Sequence, residues 1–495
     1  MKIQEESARC LLCQDAPCTK ACAKGDPARA VRAVRFGNES IAAQWLEGCN
    51  EEDLARAEQA CIHYDRPIRL RELAKVVRDA RSEPGMTKEP GKTKAVMADG
   101  DRPSLAIEFC GIPCENPFFL ASSAVCTNYE MVARAFEAGW AGVFYKTICM
   151  QDIQEVSPRF DAVGYPFIGF RNMEQLSENP VDVDFDILRR LKQDYPSKVV
   201  IASIMGQTEG EWIELAKKAE QAGCDAVELN FSCPQMRESG MGSDVGQDPE
   251  LVTFFTAYVK RNVKIPVIPK MTPNIAHIAK PAMGAYAGGA DAISAINTIK
   301  SVTLGEGSEV SGCQTGSGYS GPAVKPIALR HILAMVKNPI LRNVQFSGIG
   351  GIETWRDALE FIQLGCRNVQ VCTAVMEYGY RIIDDMILGM QHYMAERGID
   401  DLADLVGELL PKFYLPHDLD RTTVVFPKFD REKCIGCGRC VISCADGGHQ
   451  ALNFDLEKRQ PQLIGAKCVG CHLCRLVCPV GAIGLSKRVA KKEKS

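Results

Sequence analysis

With 495 residues, 46% hydrophobic and 24% charged side chains, and 58 basic against 62 acidic residues for a net charge of −4, the chain has the make-up of an ordinary globular protein of about three domains. That balance favours no nucleic-acid partner. No run approaches the roughly 18 apolar residues of a membrane helix, and the opening MKIQEESARC lacks the apolar stretch of a secretory signal, so a cytoplasmic protein free of the membrane is expected. Twenty-three cysteines in a long chain of this kind point to metal, cluster or catalytic use rather than to disulfides.

In chain order, the first expected unit is a small α-helical domain over 1–82. It opens with CLLCQDAPCTKAC, which supplies Cys10, Cys13, Cys18 and Cys22, and Cys49 and Cys61 follow. The stretches DPARAVRAVRF, LARAEQACIHY and RLRELAKVVRDA have apolar residues at helical spacing. The cysteine spacing is ferredoxin-like and favours iron–sulfur over zinc. Six thiolates suffice for one complete cluster and leave two over, so one or two clusters are open. A Pro-, Gly- and Lys-rich linker is expected over 83–104.

From 105 to 427, eight short apolar runs alternate with amphipathic stretches. The runs begin at Pro117, Gly142, Val199, Ala226, Pro266, Ala292, Val344 and Val369. Strands buried on both faces read this way, and eight βα units over about 260 residues fit a closed (β/α)8 TIM barrel, with an open doubly wound sheet as the rival. Ser122, Lys146, Ser203, Asn230, Lys270, Asn297, Gly350 and Thr373 fall at the C-terminal ends of these runs, the face on which barrels carry active sites. The two lysines, if buried there, need anionic partners. Cys233, in NFSCP, is a candidate proton donor or acceptor, and the glycine-containing loop QMRESGMGSDVGQ after it is a candidate lid. TGSGYSG from Thr315 contains a G-x-G-x-x-G, but Pro322 and Pro326 follow at once; no long helix is expected to start there and no clear strand precedes it, so a dinucleotide fingerprint is rejected. SGIGG from Ser347 and the loop after the eighth run occupy the place where many barrels bind phosphate.

The last expected domain, 428–487, carries two C-x2-C-x2-C-x3-C runs, a spacing in which three thiolates ligate one cubane and the fourth ligates the other. One 4Fe–4S cluster is therefore assigned to Cys434, Cys437, Cys440 and Cys478, and the second to Cys468, Cys471, Cys474 and Cys444. Only the second run is followed by proline, Pro479; Asp446, Gly447, Gly448 and His449 stand in its place after the first. The basic end, 488–495, reads as a solvated tail.

NPFFLASSAVCT, AGWAGVFYKT, SIMG, NFSCPQ, GMGSDVGQDPELV, PKMTPN, AINTI, SGYSGPAVKPIALR, SGIGG and QVCTAVM, taken together from about Leu105 to Leu485, resemble the dihydropyrimidine dehydrogenase family. The related dihydroorotate dehydrogenases share the barrel but not the fused ferredoxin. The resemblance implies FMN, with Ser123, Lys146, Lys270, Gly321, Gly350, Gly351 and Thr373 around it, and a pyrimidine held by Asn172, Asn230, Asn297 and Thr298. It implies reversible reduction of uracil and thymine to their 5,6-dihydro forms, with hydride passing from FMN N5 to C6 and Cys233 protonating C5. At the N-terminus it implies that Cys10, Cys13, Cys18 and Cys61 hold a first cluster, leaving Cys22 and Cys49 for an incomplete second; Ala74 stands where the family has an unusual glutamine ligand. About twenty linker residues replace the long form's FAD and NADPH domains. A separate FAD-containing, NAD(P)H-oxidising subunit, or a ferredoxin, is therefore expected to supply electrons, in a homodimer or heterotetramer. The alternatives are a dihydroorotate or other cyclic-amide dehydrogenase, and an electron-transfer subunit with no substrate of its own.

Overall fold

A computed structural model describes residues 3–82, 102–163, 168–234, 241–304, 309–310, 313–414 and 416–491. The chain forms two compact units, Met1–Leu410 and Pro411–Ser495. Most of the expected linker, 83–101, lies outside the described residues.

All eight apolar runs become the strands of one closed parallel barrel: β1 (Phe118–Leu120), β2 (Gly142–Phe144), β3 (Val199–Ile204), β4 (Ala226–Asn230), β5 (Val267–Met271), β6 (Ala292–Ala295), β7 (Gln345–Ile349) and β8 (Cys366–Val371). The sheet closes because Val371 at the end of β8 pairs with Leu120 of β1. Helices between the strands start on side-chain caps, Asn128, Thr208, Asp248 and Thr354 each accepting a backbone N–H of the first turn. The barrel rival wins over the open sheet because no strand edge is left unpaired.

A second sheet was not legible in the sequence. Four short antiparallel strands, in the order Ile299–Ser301, Ser317–Ser320, Gly169–Asn172 and Phe160–Val163, are built from the loops after β2 and β6. One of its two inner strands corrects the reading of TGSGYSG: Ser317–Ser320 is a strand, and a twelve-residue helix, Lys325–Val336, follows it after one 3-10 turn. Proline is tolerated at a first helical turn, where its missing N–H has no partner to lose. The strand is antiparallel to its neighbours, so no dinucleotide fold results. The expected lid also changes. Residues 235–240 lie outside the described residues, and Ser243–Gly246 forms a buried helical turn, not a flap, because Gly246 packs so closely that a Cβ there would stand 1.8 Å from the Phe231 carbonyl oxygen.

The N-terminal helices pack on one another through Ala30, Val34, Leu46, Leu54 and Leu73. LARAEQACIHY is helical only as far as Gln59, within Glu51–Gln59, which leaves Cys61 in the loop beyond. The Pro27–Arg35 helix docks on the barrel's last helix, Ile382–Arg397: Arg32 Nε donates to Asp385 Oδ2 at 2.6 Å, Arg29 reaches Asp384 at 2.9 Å, and Asn38 donates to the Asp385 carbonyl at 2.9 Å. Phe36 meets Tyr378 edge to face at 5.2 Å, and Leu12 and Phe36 join the barrel's apolar core.

In the second unit two helices, Arg439–Gly447 and Leu473–Leu476, carry cysteines over three small antiparallel ribbons. Val489–Ala490 pairs with Thr423–Val424, so the fold runs past 487 into the segment expected as tail; 492–495 lie outside the described residues.

Candidate functional site

The C-terminal ends of the barrel strands, roofed by the four-stranded sheet, form a cavity open to solvent. It is lined by Ser123, Lys146, Asn172, Asn230, Cys233, Lys270, Asn297, Thr298, Gly321, Gly350, Gly351 and Thr373, which are all twelve of the barrel residues singled out above for FMN, substrate or proton transfer. Ser203, expected on this face, is instead inside the barrel, where its hydroxyl meets Thr147 Oγ1 at 2.9 Å and donates to Glu228 at 2.9 Å.

Both lysines have their anions. Lys146, at the end of β2, donates to Glu174 Oε1 at 2.7 Å, and Lys270, on β5, lies 3.7 Å from Glu228 Oε1 on β4. Neither glutamate was singled out from the sequence; an acid within the otherwise apolar run from Ala226 was the available signal for Glu228. The asparagines are held by the protein as well. Asn230 donates to Thr147 Oγ1 at 2.9 Å and accepts from the Ser232 hydroxyl at 2.8 Å; Asn297 donates to Ser232 Oγ at 2.9 Å and accepts from the Thr298 N–H at 2.7 Å. Asn230 Oδ1 accepts the Ser232 N–H as well, at 3.2 Å. Each amide is thereby oriented: Asn297 keeps one N–H and one lone pair for a ligand, and Asn230 keeps one N–H. Cys233 is 5% exposed, on the loop that leaves β4.

One wall of the cavity is glycine by necessity. Gly321 and Gly351 have φ of +90° and +71°, and a Cβ on Gly351 would stand 2.8 Å from the Lys325 nitrogen and 2.9 Å from the Gly321 carbonyl oxygen. Bare backbone at the ends of β7 and β8, beside Thr373, suits a phosphate and the flat rings of a flavin, so the residues fit FMN. Glu353 lines this wall, and burial, with Glu377 and Asp357 adding like charge, pushes its carboxyl up to about 7.

The cysteines sort into groups. Burial pushes the Cys18 thiol up to about 12, with Cys10, Cys61 and Cys13 adding like-charge repulsion, so these four are mutual neighbours. Cys22 and Cys49 stand apart as a pair, Sγ to Sγ 3.0 Å. Arg35 donates to the Cys10 carbonyl at 3.0 Å and to Tyr378 Oη at 3.1 Å, tying the cysteine loop to the helix that follows β8. In the second unit a cavity of about 350 Å3 is lined by Cys444, Cys468, Cys471 and Cys474, while Cys440 is pushed up by burial and by its neighbours Cys434 and Cys437. The two cysteines that close each run are treated alike: Cys444 Sγ accepts the Ala451 N–H and Cys478 Sγ the Ala482 N–H, both at 3.3 Å. Among the described residues no three His, Cys, Asp or Glu side chains converge as one metal ion requires. A cubane, which takes one thiolate at each of four irons, needs a more open set. The described residues include no helix long and apolar enough to cross a membrane.

Comparison with known proteins adds the following. The dihydroorotate dehydrogenase family model matches residues 104–394 and a 4Fe-4S dicluster domain matches 428–485. The NAD-dependent dihydropyrimidine dehydrogenase subunit PreA of Escherichia coli K12 is 51% identical over 397 residues, covering 78% of this chain and 97% of that protein. The chloroplastic dihydropyrimidine dehydrogenase (NADP(+)) of Arabidopsis thaliana is 36% identical over 66% of this chain and 82% of its own length. The catalytic subunit of dihydroorotate dehydrogenase B (NAD(+)) from Pyrococcus horikoshii is 35% identical over 61% of this chain and 97% of its own length.

Proposed function

The chain belongs to the dihydroorotate dehydrogenase family of oxidoreductases, and from that premise we propose that it reduces uracil and thymine reversibly to their 5,6-dihydro forms, using FMN in the barrel and 4Fe–4S clusters as the electron supply. The observation that carries the substrate choice is electrostatic. Among the described residues lining the cavity the only cations are Lys146 and Lys270, and each is already paired with its own glutamate. An orotate carboxylate would find no unpaired cation there, whereas a neutral base meets amide groups that between them donate and accept.

FMN held by these residues would supply the hydride for C6 of the base. The chain's own residues do the rest. Asn172, Asn230, Asn297 and Thr298 grip the ring's alternating carbonyl and N–H groups, and the Ser232 and Thr147 hydroxyls hold the second and third of these amides in one orientation before the base arrives. Cys233 gives the proton to C5 from a site screened from bulk water. Ser123, Lys146, Lys270, Gly321, Gly350, Gly351 and Thr373 hold the flavin. Cys434, Cys437, Cys440 and Cys478, and Cys468, Cys471, Cys474 and Cys444, carry two clusters, and Cys10, Cys13, Cys18 and Cys61 a third, with Cys22 and Cys49 left over. Electrons reach these clusters from a separate FAD-containing, NAD(P)H-oxidising subunit or a ferredoxin, in a homodimeric or heterotetrameric assembly working in the cytosol, where thiols stay reduced. The E. coli relative is likewise named a subunit of an NAD-dependent enzyme.

The test is anaerobic reduction of the flavin in the purified chain, then addition of uracil, thymine or orotate in turn. Reoxidation by uracil or thymine is expected, with Cys233→Ala slowing it about 10²–10⁴-fold at unchanged FMN content. Reoxidation by orotate alone refutes the substrate assignment, and full turnover with NADH by the single chain refutes the need for a partner.

A further inference from the structure

Glu228 sits in the middle of β4, in the sequence AVELN, with 0% exposure. Its neighbours along the strand are apolar, and a carboxylate in such a place is not explained by packing, since replacing a buried ion pair with hydrophobic residues of similar volume is often neutral or stabilising. Its two flanking strands, β3 and β5, and the next strand round the barrel, β6, supply its partners. Ser203 of β3 donates to Oε1 at 2.9 Å, Ser294 of β6 donates to Oε2 at 2.8 Å, and Lys270 of β5 stands 3.7 Å from Oε1. Glu228 does not line the cavity; Lys270 does. A chain of hydroxyls also leads outward, Ser203 to Thr147 at 2.9 Å and Thr147 to Ser122 at 3.0 Å, and both of the latter line the cavity.

We propose that Glu228 is a positioning residue that holds the Lys270 ammonium aimed into the cavity, and that through this ammonium it raises the reduction potential of the bound flavin; the inference rests on the reading that FMN occupies the barrel. Lys270 is itself only 4% exposed, and Glu228 is the one carboxylate paired with it among the described residues. Burial penalises an ammonium that has lost its anion, so without the carboxylate the charge is no longer held at the cavity wall. A reduced flavin gathers negative charge, which a facing ammonium stabilises and a neutral amine does not. The pair is therefore more than a solution to charge burial: the carboxylate on the inner side fixes the charge that the lysine presents on the outer side.

The experiment is the midpoint potential of FMN in the holoprotein at pH 7, with flavin and iron quantified on each sample. Glu228→Gln is expected to lower the potential, with the two-electron reduction equilibrium less favourable by at least tenfold, which is about 30 mV. Lys270→Gln is expected to lower it too, and adding Glu228→Gln to Lys270→Gln is expected to lower it no further, since the glutamate acts through the lysine. Should Glu228→Gln fail to fold, Ser294→Ala and Ser203→Ala, which each remove one donor from the carboxylate at unchanged formal charge, are expected to give smaller shifts of the same sign. An unchanged or raised potential in a folded, flavin-loaded Glu228→Gln protein overturns the inference, as do unchanged potentials in both serine variants. A wild-type protein that binds no FMN overturns the functional reading and this inference together, whereas flavin binding without a shift overturns this inference alone.

Discussion

Replacing Gly351 by alanine tests the flavin cradle at its tightest point. The residue holds φ at +71°, where an L side chain costs roughly 1–2 kcal/mol, and the new Cβ would sit 2.8 Å from the Lys325 nitrogen and 2.9 Å from the Gly321 carbonyl oxygen. Both are backbone atoms and cannot rotate away, so relief requires the wall to move, and overpacking of this kind costs roughly 1–3 kcal/mol. The sum, about 2–5 kcal/mol, appears in two places. Without FMN the wall relaxes and the cost is partly avoided; with FMN it must return to its native position, and that share weakens binding. If most of the cost appears there, FMN affinity falls by between roughly thirtyfold and a few thousandfold. The assay is anaerobic FMN titration of deflavinated protein by fluorescence quenching, paired with thermal unfolding of the same apoprotein to capture the remainder. An affinity within about twofold of wild type together with an unshifted unfolding temperature would refute the strain argument and the placement of FMN against this wall.

Glu353 supplies a pH dependence. Its carboxyl is neutral below about pH 7, where burial has pushed it, and becomes an anion above, on the same wall as Gly350 and Gly351. FMN affinity is expected to fall as pH rises through about 7 and to lose that dependence in Glu353→Gln; an affinity flat from pH 6 to 8 in wild type contradicts it. Arg32→Ala leaves Asp385, whose side chain is 4% exposed, buried without its closest cation, a loss of about 3–5 kcal/mol at neutral pH. Burial already holds the Asp385 carboxyl above its ordinary value despite Arg32, and losing Arg32 raises it further. A raised acid favours the folded state only at low pH and loses that contribution as pH rises through the folded value, so the variant's deficit is expected to widen upward from about pH 4. Denaturant unfolding at several pH values would show it, and a deficit that is larger in acid would count against the pairing. Cys13→Ser is expected to remove about four irons per chain, and Cys22→Ser none, by chemical iron analysis; equal losses would place Cys22 in a cluster.

Much was legible along the chain because it is written in local pattern. Eight apolar runs of strand length, separated by amphipathic helices with polar first turns, have few ways to bury themselves other than as a parallel barrel, and the polar residues at their ends, Ser203 excepted, gather on one face. The cysteine spacings are equally local: a ligand run of three with a fourth crossing over is a property of sequence distance, and the cavity that unites Cys444 with Cys468, Cys471 and Cys474 follows that crossing.

What the tertiary structure alone decided are pairings between residues far apart in the chain. The roof of the cavity consists of strands of three or four residues, too short to show a period, and Gly318 meets Asn172 only because the loops after β2 and β6 cross the same barrel mouth. The partner of Lys146 lies 28 residues on in a segment with no strand signal of its own when read by pattern, and the partner of Lys270 lies on the neighbouring strand, inside the barrel where a run of apolar letters concealed it. The clasp of Arg29 and Arg32 on Asp384 and Asp385 spans more than 350 residues. Local propensity selects elements, but which charges pair with one another is settled by the register in which those elements close, and here that register set a glutamate against each of the cavity's two lysines.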